Sequence, residues 1–322
     1  MSFTRYNTED SVVSAETVVR GLWSGDNYTL NTFFTSSNYT EYYVDVFDSN
    51  FNTSTSASVQ FSLQFGQVSG SGSAPINSAV VGYSPSRVVY GQYRNLVYGT
   101  ETTNFSFDNG STTSNAIYVI NISRARYKES LLPGSLNMTL AGPSGSFTYT
   151  DDSGTTNLTR FVGENRYFNI VQGTNGSGSA TPIYGLFFPD LDIIVLNANA
   201  LTGSGTPGIA YSNSTSTVYN NLNIWRALVS GSNFQMKSSE TISARYFFTR
   251  IKNSEYNYTT NPSVIDANGN LLYTTLINNP QTYVTTVGMY NDNNELLAVA
   301  KLSKPLVKDF TKEALIRVKL DY

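Results

Sequence analysis

Two pairs of neighbouring carboxylates come closest to a catalytic pattern in this sequence. Asp151 and Asp152 are adjacent, and Asp190 and Asp192 are separated by one residue. Two carboxyl groups held across a sugar ring can hydrolyse a glycosidic bond. Nothing in the sequence brings either pair into a cleft, and aspartates in a Gly/Ser-rich turn commonly accept hydrogen bonds from backbone amides. The structural interpretation is therefore favoured for both pairs.

Metal and phosphate sites are also weakly indicated. Residues 292–295 gather oxygen ligands of the kind that Ca²⁺ binds, but without EF-hand spacing and at a position where a hairpin needs a turn. The Gly-Ser-Gly stretches at 70–72, 176–178 and 203–205 lack the Lys-Ser/Thr ending of a phosphate-binding P-loop. We interpret them as flexible loops, and we expect no metal ion and no cofactor.

Histidine and cysteine are both absent from the 322 residues. Histidine is the usual proton shuttle near pH 7 and the commonest metal ligand, and cysteine supplies thiolate nucleophiles and disulfides. Ser-His-Asp and Cys-His catalysis, most zinc chemistry and any disulfide framework are thereby excluded. Because only carboxylate, lysine, tyrosine or magnesium chemistry remains, we expect a protein that is not an enzyme and that acts through the surfaces it presents.

Aromatic and basic side chains supply the candidates for such surfaces. The 23 tyrosines could stack on sugar rings, but in a β protein they more often fill the core or protein interfaces. Arg124 and Arg126, with Lys128, could meet an acidic partner or a phosphate, although a solvated strand end or interface ion pairs are favoured. The candidate interface residues are Tyr42, Tyr43, Arg124, Arg126, Tyr256, Tyr258 and Tyr290.

Composition predicts a mainly β fold, with β-sandwich-like antiparallel sheets and a few short helices. Charged residues make up 13% of the chain, and Tyr, Phe, Thr, Asn and Gly replace them. The net charge of −3 leaves no basic footprint for nucleic acid. The first residues lack the apolar core of a signal peptide, and no apolar run approaches the length of a membrane span. We therefore expect no nucleic-acid partner and no membrane insertion.

Hydrophobic periodicity locates the elements that must position these residues. The alternation at 59–65 and the β-branched run at 116–122 predict strands, the second of them central. Ser84-Pro85 predicts the start of a helix whose apolar positions are Val89, Tyr93 and Leu96/Val97. Val218, Leu222, Trp225 and Val229 predict a second helix that ends at Gly231. The chain's other predicted elements are hairpins at 136–150 and 281–302, strands at 241–251 and 314–322, and a buried strand within 183–201 interrupted by Pro189.

These elements suggest four segments. They are an N-terminal arm at 1–35, a β-rich domain with one helix at 36–150, a middle region with a strand, Gly/Ser loops and one helix at 151–235, and a C-terminal β domain at 236–322.

Four blocks near the C-terminus carry a resemblance to a known family. They are YFFTRIKNSEYNYTTNP at 246–262, NPQTYVTTVGMY at 279–290, ELLAVAKLSKP at 295–305 and IRVKLDY at 316–322. Together with segments at 93–96, 117–134 and 184–190, they resemble virion structural proteins of contractile-tailed bacteriophages, in particular cyanophage-like myoviruses. The resemblance implies a place in the tail or baseplate and supplies no functional residues to carry over.

The expected function is therefore that of a non-enzymatic structural subunit of a tailed-phage virion, assembled in the host cytoplasm. Its expected partners are other tail or baseplate proteins and further copies of itself in a homo-oligomer. The alternatives are a receptor- or glycan-binding module at a tail fibre, and a neck or connector protein. A tail-associated glycosidase that uses Asp190 is the enzymatic alternative, and it is the least favoured.

Overall fold

The structure is a computed structural model that describes residues 5–36, 43–72, 85–107, 110–156, 159–213, 220–259 and 261–321. The strands are β1 (Ser11–Gly21), β2 (Thr29–Leu30), β3 (Tyr43–Phe47), β4 (Val59–Gln67), β5 (Phe105–Phe107), β6 (Thr112–Ser114), β7 (Ala116–Ile122), β8 (Ser130–Leu131), β9 (Asn137–Gly142), β10 (Gly145–Asp151), β11 (Arg160–Val162), β12 (Asn165–Thr174), β13 (Ser177–Gly178), β14 (Gly185–Phe188), β15 (Ile193–Asn197), β16 (Phe234–Gln235), β17 (Lys237–Ile251), β18 (Thr282–Tyr290), β19 (Leu296–Lys308) and β20 (Ala314–Asp321). The helices are α1 (Pro85–Tyr98), α2 (Ser153–Thr156), α3 (Asn220–Gly231) and α4 (Thr275–Asn278). The predicted mainly β fold with antiparallel sheets and short helices is confirmed.

The chain divides into two compact units. The larger unit comprises residues 17–240, and the smaller one combines residues 1–16 with residues 241–322. Strands from the predicted segments 36–150 and 151–235 lie together in one sheet of the larger unit. The division into four segments itself remains a prediction.

A long antiparallel sheet forms the centre of the larger unit. Its strand order is β2-β16-β9-β10-β12-β14-β15-β7-β4-β3, with β11 and β13 paired to β12 at the side. The run at 116–122 is a central strand, as predicted. Tyr118 and Ile120 pack into one hydrophobic cluster, and Ile117 and Val119 pack into a second cluster. Because both faces of β7 are covered, its sequence is almost continuously apolar.

Each cluster includes one of the two long helices. In α1, the predicted positions Val89, Tyr93 and Val97 are buried, whereas Leu96 is exposed. In α3 the buried apolar residues are Leu222, Ile224, Ala227 and Leu228. The predicted stripe was wrong at Val229, which is exposed, whereas Trp225 is half-buried and packs against the core cluster. Val218 lies outside the described residues.

The single buried strand predicted across Pro189 is two strands. β14 and β15 pair in register from Gly185 with Leu196 to Phe188 with Ile193, and residues 189–192 make the turn between them. Asp192 has a φ of 59°, a left-handed conformation that a tight turn requires. Proline cannot donate to the ladder and so marks the end of the strand here.

Apolar residues of the predicted N-terminal arm belong to the core of the larger unit. Leu22, Trp23, Leu30 and Phe33 are buried in the same cluster as Phe234. The Trp23 ring lies 4.9 Å from the Phe234 ring, and its indole N–H donates to the Phe234 carbonyl at 2.8 Å. This contact links residues far apart in the sequence, which periodicity within a short window cannot reveal.

The smaller unit consists of a sheet and a hairpin. β17 pairs with β20 in register from Ala244 with Asp321 to Ile251 with Ala314, and β1 lies on the other side of β17. β18 and β19 form a separate two-stranded sheet, joined by the predicted turn at 291–295. The predicted strands at 241–251 and 314–321 are confirmed, while residue 322 lies outside the described residues.

Candidate docking surface

The smaller unit carries most of the exposed apolar side chains. Of the 24 large hydrophobic residues that are exposed in the described part of the chain, 15 lie in this unit. Only four of its described hydrophobic residues are buried, namely Ala244, Ile251, Met289 and Val318. Burial of apolar surface is the main favourable contribution to folding, and monomeric proteins seldom expose large contiguous apolar patches. This distribution is typical of a unit that packs against something else.

One face of the β18–β19 hairpin is covered. The strand register places Val287 opposite Ala300 and Met289 opposite Ala298. Met289 is buried, and the other three residues are half-buried. Directly opposed residues in an antiparallel pair point to the same side of the sheet, so these four side chains define the covered face.

The other face of the hairpin is apolar and exposed. We call its four large apolar residues the hairpin surface; they are Tyr290, Leu296, Leu297 and Val299. Their exposed fractions are 39%, 52%, 67% and 53%. Tyr290 is opposite Leu296, and a register shift at this point leaves Leu297 as the extra residue of a bulge. A bulge turns consecutive side chains towards one side of a strand. Here it places Leu296 and Leu297 on the same face.

Gly288 makes the hairpin surface continuous. It is opposite Val299, and a Cβ atom built on it would lie 3.0 Å from Cε2 of Tyr290 and 3.4 Å from Cδ1 of Leu296. The tyrosine ring and the leucine therefore lie over the bare glycine backbone. A larger residue at position 288 would push both side chains away.

The sequence contains a sign of this surface that was not used to choose the candidate interface residues. Residues 296–300 read Leu-Leu-Ala-Val-Ala, without the alternation that a half-buried strand shows. A continuous apolar run is typical of a strand covered on both faces, like β7. In the described part of the smaller unit, β19 has one covered face and one exposed face.

The candidate interface residues fall in different units. Tyr43, Arg124 and Arg126 lie in the larger unit, and Tyr256, Tyr258 and Tyr290 lie in the smaller one. Tyr42 lies outside the described residues. Tyr43 is 43% exposed at the start of β3, the last strand of the large sheet. Among the six described candidates, Tyr290 belongs to the hairpin surface.

The two candidate arginines, Arg124 and Arg126, form contacts within the larger unit. Arg124 donates to the carbonyls of Tyr127 and Lys128 at 2.7 and 2.9 Å, and its guanidinium lies 4.7 Å from the Tyr127 ring centre. Arg126 donates to Ser24 Oγ at 2.6 Å and lines a small cleft of about 170 Å³. These contacts position the loop after β7.

Tyr256 and Tyr258 are exposed on a loop that a buried lysine holds in place. Lys308 is fully buried, and its ammonium donates to the carbonyls of Asn253 and Asp309 and to Oδ1 of Asn257, at 2.7 to 2.9 Å. Three acceptors satisfy the three donors of the ammonium group. Nothing in the sequence around Lys308 indicates that this residue is buried.

The carboxylates of Asp151 and Asp152 stabilise loops through hydrogen bonds and an ion pair. Asp151 accepts from the amides of Gly134 at 2.9 Å and Ser153 at 3.1 Å, and burial raises its pKa. Asp152 forms an ion pair with Arg160 at 2.9 Å. Each carboxylate therefore has its own structural partners, as expected for turn aspartates.

Asp190 and Asp192 have equally different surroundings. Asp190 pairs with Arg166 at 2.8 Å on the surface, whereas Asp192 is 3% exposed. Burial raises the pKa of Asp192 to about 6, while a hydrogen bond from Tyr127 and the charge of Arg124 oppose the shift. One of its oxygens, Oδ1, is buried without a hydrogen-bond partner. The pair is split between surface and interior.

Comparison with known proteins does not assign this chain to a family. Across the described residues, no group of three or more acidic side chains is placed to hold a metal ion. None of the helices in the described part of the chain combines the length and apolarity needed to cross a bilayer. No family model matches the sequence, and neither the curated proteins nor the solved structures give a match.

Proposed function

We propose that this chain is a non-enzymatic structural subunit of a tailed-phage virion, located in the tail or baseplate, and that it acts through protein–protein contacts. The hairpin surface is the observation that carries the proposal, because it leaves four large apolar side chains in water on a hairpin whose other face is already covered. The resemblance of residues 246–322 to phage virion proteins supports the particle as its location.

The chemistry of the hairpin surface fits a protein partner. Leucine, valine and tyrosine offer apolar area and a rigid aromatic anchor, which is the usual composition at the centre of protein interfaces. No charge has to be desolvated among the four residues, so burying them costs little beyond side-chain ordering.

Incorporation into particles tests the proposal. Phage particles would be purified from cells that produce the chain with either Leu297→Asp or Val299→Asp, and the copy number would be measured by quantitative mass spectrometry. A charge at the centre of an apolar interface is desolvated without a partner. We expect the unsubstituted chain at a fixed copy number per particle and each variant at less than a tenth of that number.

Thr285→Asp is the matched control, because Thr285 is exposed on the same hairpin and lies outside the hairpin surface. This variant should be incorporated normally, and far-UV circular dichroism should show that all variants keep their strands. Absence of the unsubstituted chain from purified particles would reject the proposal, as would normal incorporation of both aspartate variants.

Glycan or receptor binding is the second candidate, favoured by the 40% and 55% exposure of Tyr256 and Tyr258 on the loop that Lys308 holds. Exposed aromatic rings on a fixed loop can stack on sugar rings. Binding to a glycan array that Tyr256→Ala or Tyr258→Ala abolishes would support this function. Absence of binding to any host envelope glycan would reject it.

A further inference from the structure

The larger unit contains a small cleft beside the loop that follows β7. Its volume is about 170 Å³, roughly that of a cavity that holds one benzene molecule. The cleft lies between the end of β1, residues 125–128 and the first residues of β17. We call it the charged cleft, because five charged residues are among those that line it: Arg20, Asp26, Arg126, Lys128 and Glu240.

The lining of the charged cleft has an excess of one positive charge, because it contains three basic and two acidic side chains. Lys128 and Glu240 balance each other, since Nζ lies 2.9 Å from Oε2. Arg20, Arg126 and Asp26 form no ion pair within the described part of the chain. Two guanidinium groups and one carboxylate therefore remain without an oppositely charged partner there.

The guanidinium group of Arg126 uses only part of its hydrogen-bonding capacity. Its Nη1 donates to Oγ of Ser24 at 2.6 Å. Its Nε is buried and has no hydrogen-bond partner among the residues that the structure describes. Most buried donors in folded proteins are paired, because an unpaired one has lost its hydrogen bond to water without replacement. Arg126 therefore favours a ligand that brings acceptor oxygens into the cleft.

The protein holds Arg126 in place without a ligand. Oγ of Ser24, which accepts from Arg126, also accepts from Nε2 of Gln60 at 2.7 Å, and Gln60 is fully buried. The backbone next to Ser24 is equally constrained, because a Cβ atom built on Gly21 would lie 1.9 Å from the carbonyl oxygen of Asp26. A donor that is already fixed loses little conformational freedom when a ligand binds.

We propose that the charged cleft binds one carboxylate side chain of a neighbouring protein subunit, with Arg20 and Arg126 as the donors. This inference rests on the proposed function, which supplies the neighbour, but it concerns a surface other than the hairpin surface. The planar guanidinium group matches the two oxygens of a carboxylate. One carboxylate balances the excess positive charge, whereas a phosphate group carries a charge of about −1.5 to −2 and would be repelled by Asp26 and Glu240.

Titration of the full chain with short peptides tests this inference. The probes are acetyl-Gly-Glu-Gly-amide, whose glutamate carries its only charge, and the neutral acetyl-Gly-Gln-Gly-amide. Binding would be followed by the ¹H–¹⁵N signals of the arginine side chains, with the Arg126 Nε–H signal assigned by its loss in Arg126→Lys. We expect the glutamate peptide to shift this signal to saturation, with a dissociation constant at least tenfold lower than that of the glutamine peptide.

Two substitutions and a matched control locate the site. Arg20→Gln removes an exposed charge, so the fold should be retained and the dissociation constant of the glutamate peptide should rise at least threefold. Arg126→Lys keeps the charge but loses the planar group, and should raise the constant at least tenfold. Arg226→Gln is the control, because Arg226 is exposed on α3 and does not line the cleft; the constant should change less than 1.5-fold. Far-UV circular dichroism should show that all variants keep their strands.

The outcomes separate the site, its occupant and the proposed function. An unshifted Arg126 signal at 20 mM glutamate peptide would overturn the site, and so would equal affinity for the two peptides. Tighter binding of acetyl-Gly-Gly-Gly, whose carboxylate is its C-terminus, would overturn the assignment to a side chain. Normal incorporation of both Arg20→Gln and Arg126→Lys into particles would overturn the neighbouring subunit as the occupant. The proposed function is judged separately, by the Leu297→Asp and Val299→Asp variants.

Discussion

Replacement of Asp192 by asparagine should stabilise the larger unit at neutral and alkaline pH. The carboxylate of Asp192 is buried in the β14–β15 turn, and its pKa is raised to about 6, from an ordinary value of 3.8. A raised carboxyl pKa means that the folded state binds the proton more tightly than the unfolded state. The charge therefore destabilises the folded protein at pH values above its folded pKa, and the cost disappears below pH 4.

The size of the effect follows from the shift. A change of one pKa unit corresponds to about 1.4 kcal/mol, so a shift of about two units corresponds to about 3 kcal/mol at pH 8. The asparagine side chain keeps an oxygen that accepts a hydrogen bond from Tyr127. Asparagine also tolerates the left-handed backbone of position 192. Its amide adds a buried donor that costs about 1 kcal/mol or more. We expect a net gain of about 1 to 2 kcal/mol at pH 8 that decreases as the pH falls from 6 to 4.

Urea unfolding followed by tryptophan fluorescence measures this gain. Both tryptophans, Trp23 and Trp225, lie in the larger unit with Asp192, so the signal reports on the unit that is perturbed. Asp26→Asn is the matched control, because Asp26 has a φ of 57° and is exposed. Its substitution should change the free energy of unfolding by less than about 0.5 kcal/mol at every pH. Equal stability of Asp192→Asn and the unsubstituted chain at pH 8 would refute the reasoning, and so would a gain that persists unchanged at pH 4.

Three further substitutions test other parts of the structure. Trp23→Ala should lower the free energy of unfolding by about 3 to 5 kcal/mol in urea titrations, because it removes a buried ring and its bond to Phe234; a loss below 1 kcal/mol would contradict the core position. Lys308→Met removes the three hydrogen bonds that the buried ammonium donates, so hydrogen exchange at residues 253–257 should accelerate at least tenfold, and unchanged protection would contradict this. Gly142→Ala places a Cβ atom 2.3 Å from the Pro207 carbonyl oxygen and should lower the thermal midpoint of unfolding by several degrees. An unchanged midpoint would show that the loop at Pro207 moves at no cost to accommodate the methyl group.

The sequence correctly predicted elements that are determined by residues close together in the chain. The run at 116–122 and the hairpin turn at 291–295 were identified correctly, because strand periodicity and turn residues act within a few positions. The burial of Trp23 could not be predicted in this way, since it depends on contact with Phe234 across more than two hundred residues. Long-range packing overrides the polar composition around Trp23.

The candidate site was predicted only in part. Tyr290 was identified because tyrosine is common at interfaces, but Leu296, Leu297 and Val299 were assigned to an ordinary hairpin strand. Which face of a strand is covered depends on what packs against it, and the sequence of the strand does not specify this. The continuous apolar run from Leu296 to Ala300 is the sequence feature that indicates this surface. It can be interpreted only together with the exposure that the structure shows.

The composition of the smaller unit from two distant stretches of the chain has a consequence for biosynthesis. β1 has its strand neighbour in β17, which begins only at Lys237, so the ribosome makes it after nearly all of residues 17–240, and β20 is made later still. Domains fold as their sequence emerges, so the larger unit can fold while β1 is still waiting for its neighbour. The hairpin surface is also translated late, so a nascent chain cannot offer it to other subunits until residues 1–289 have been made.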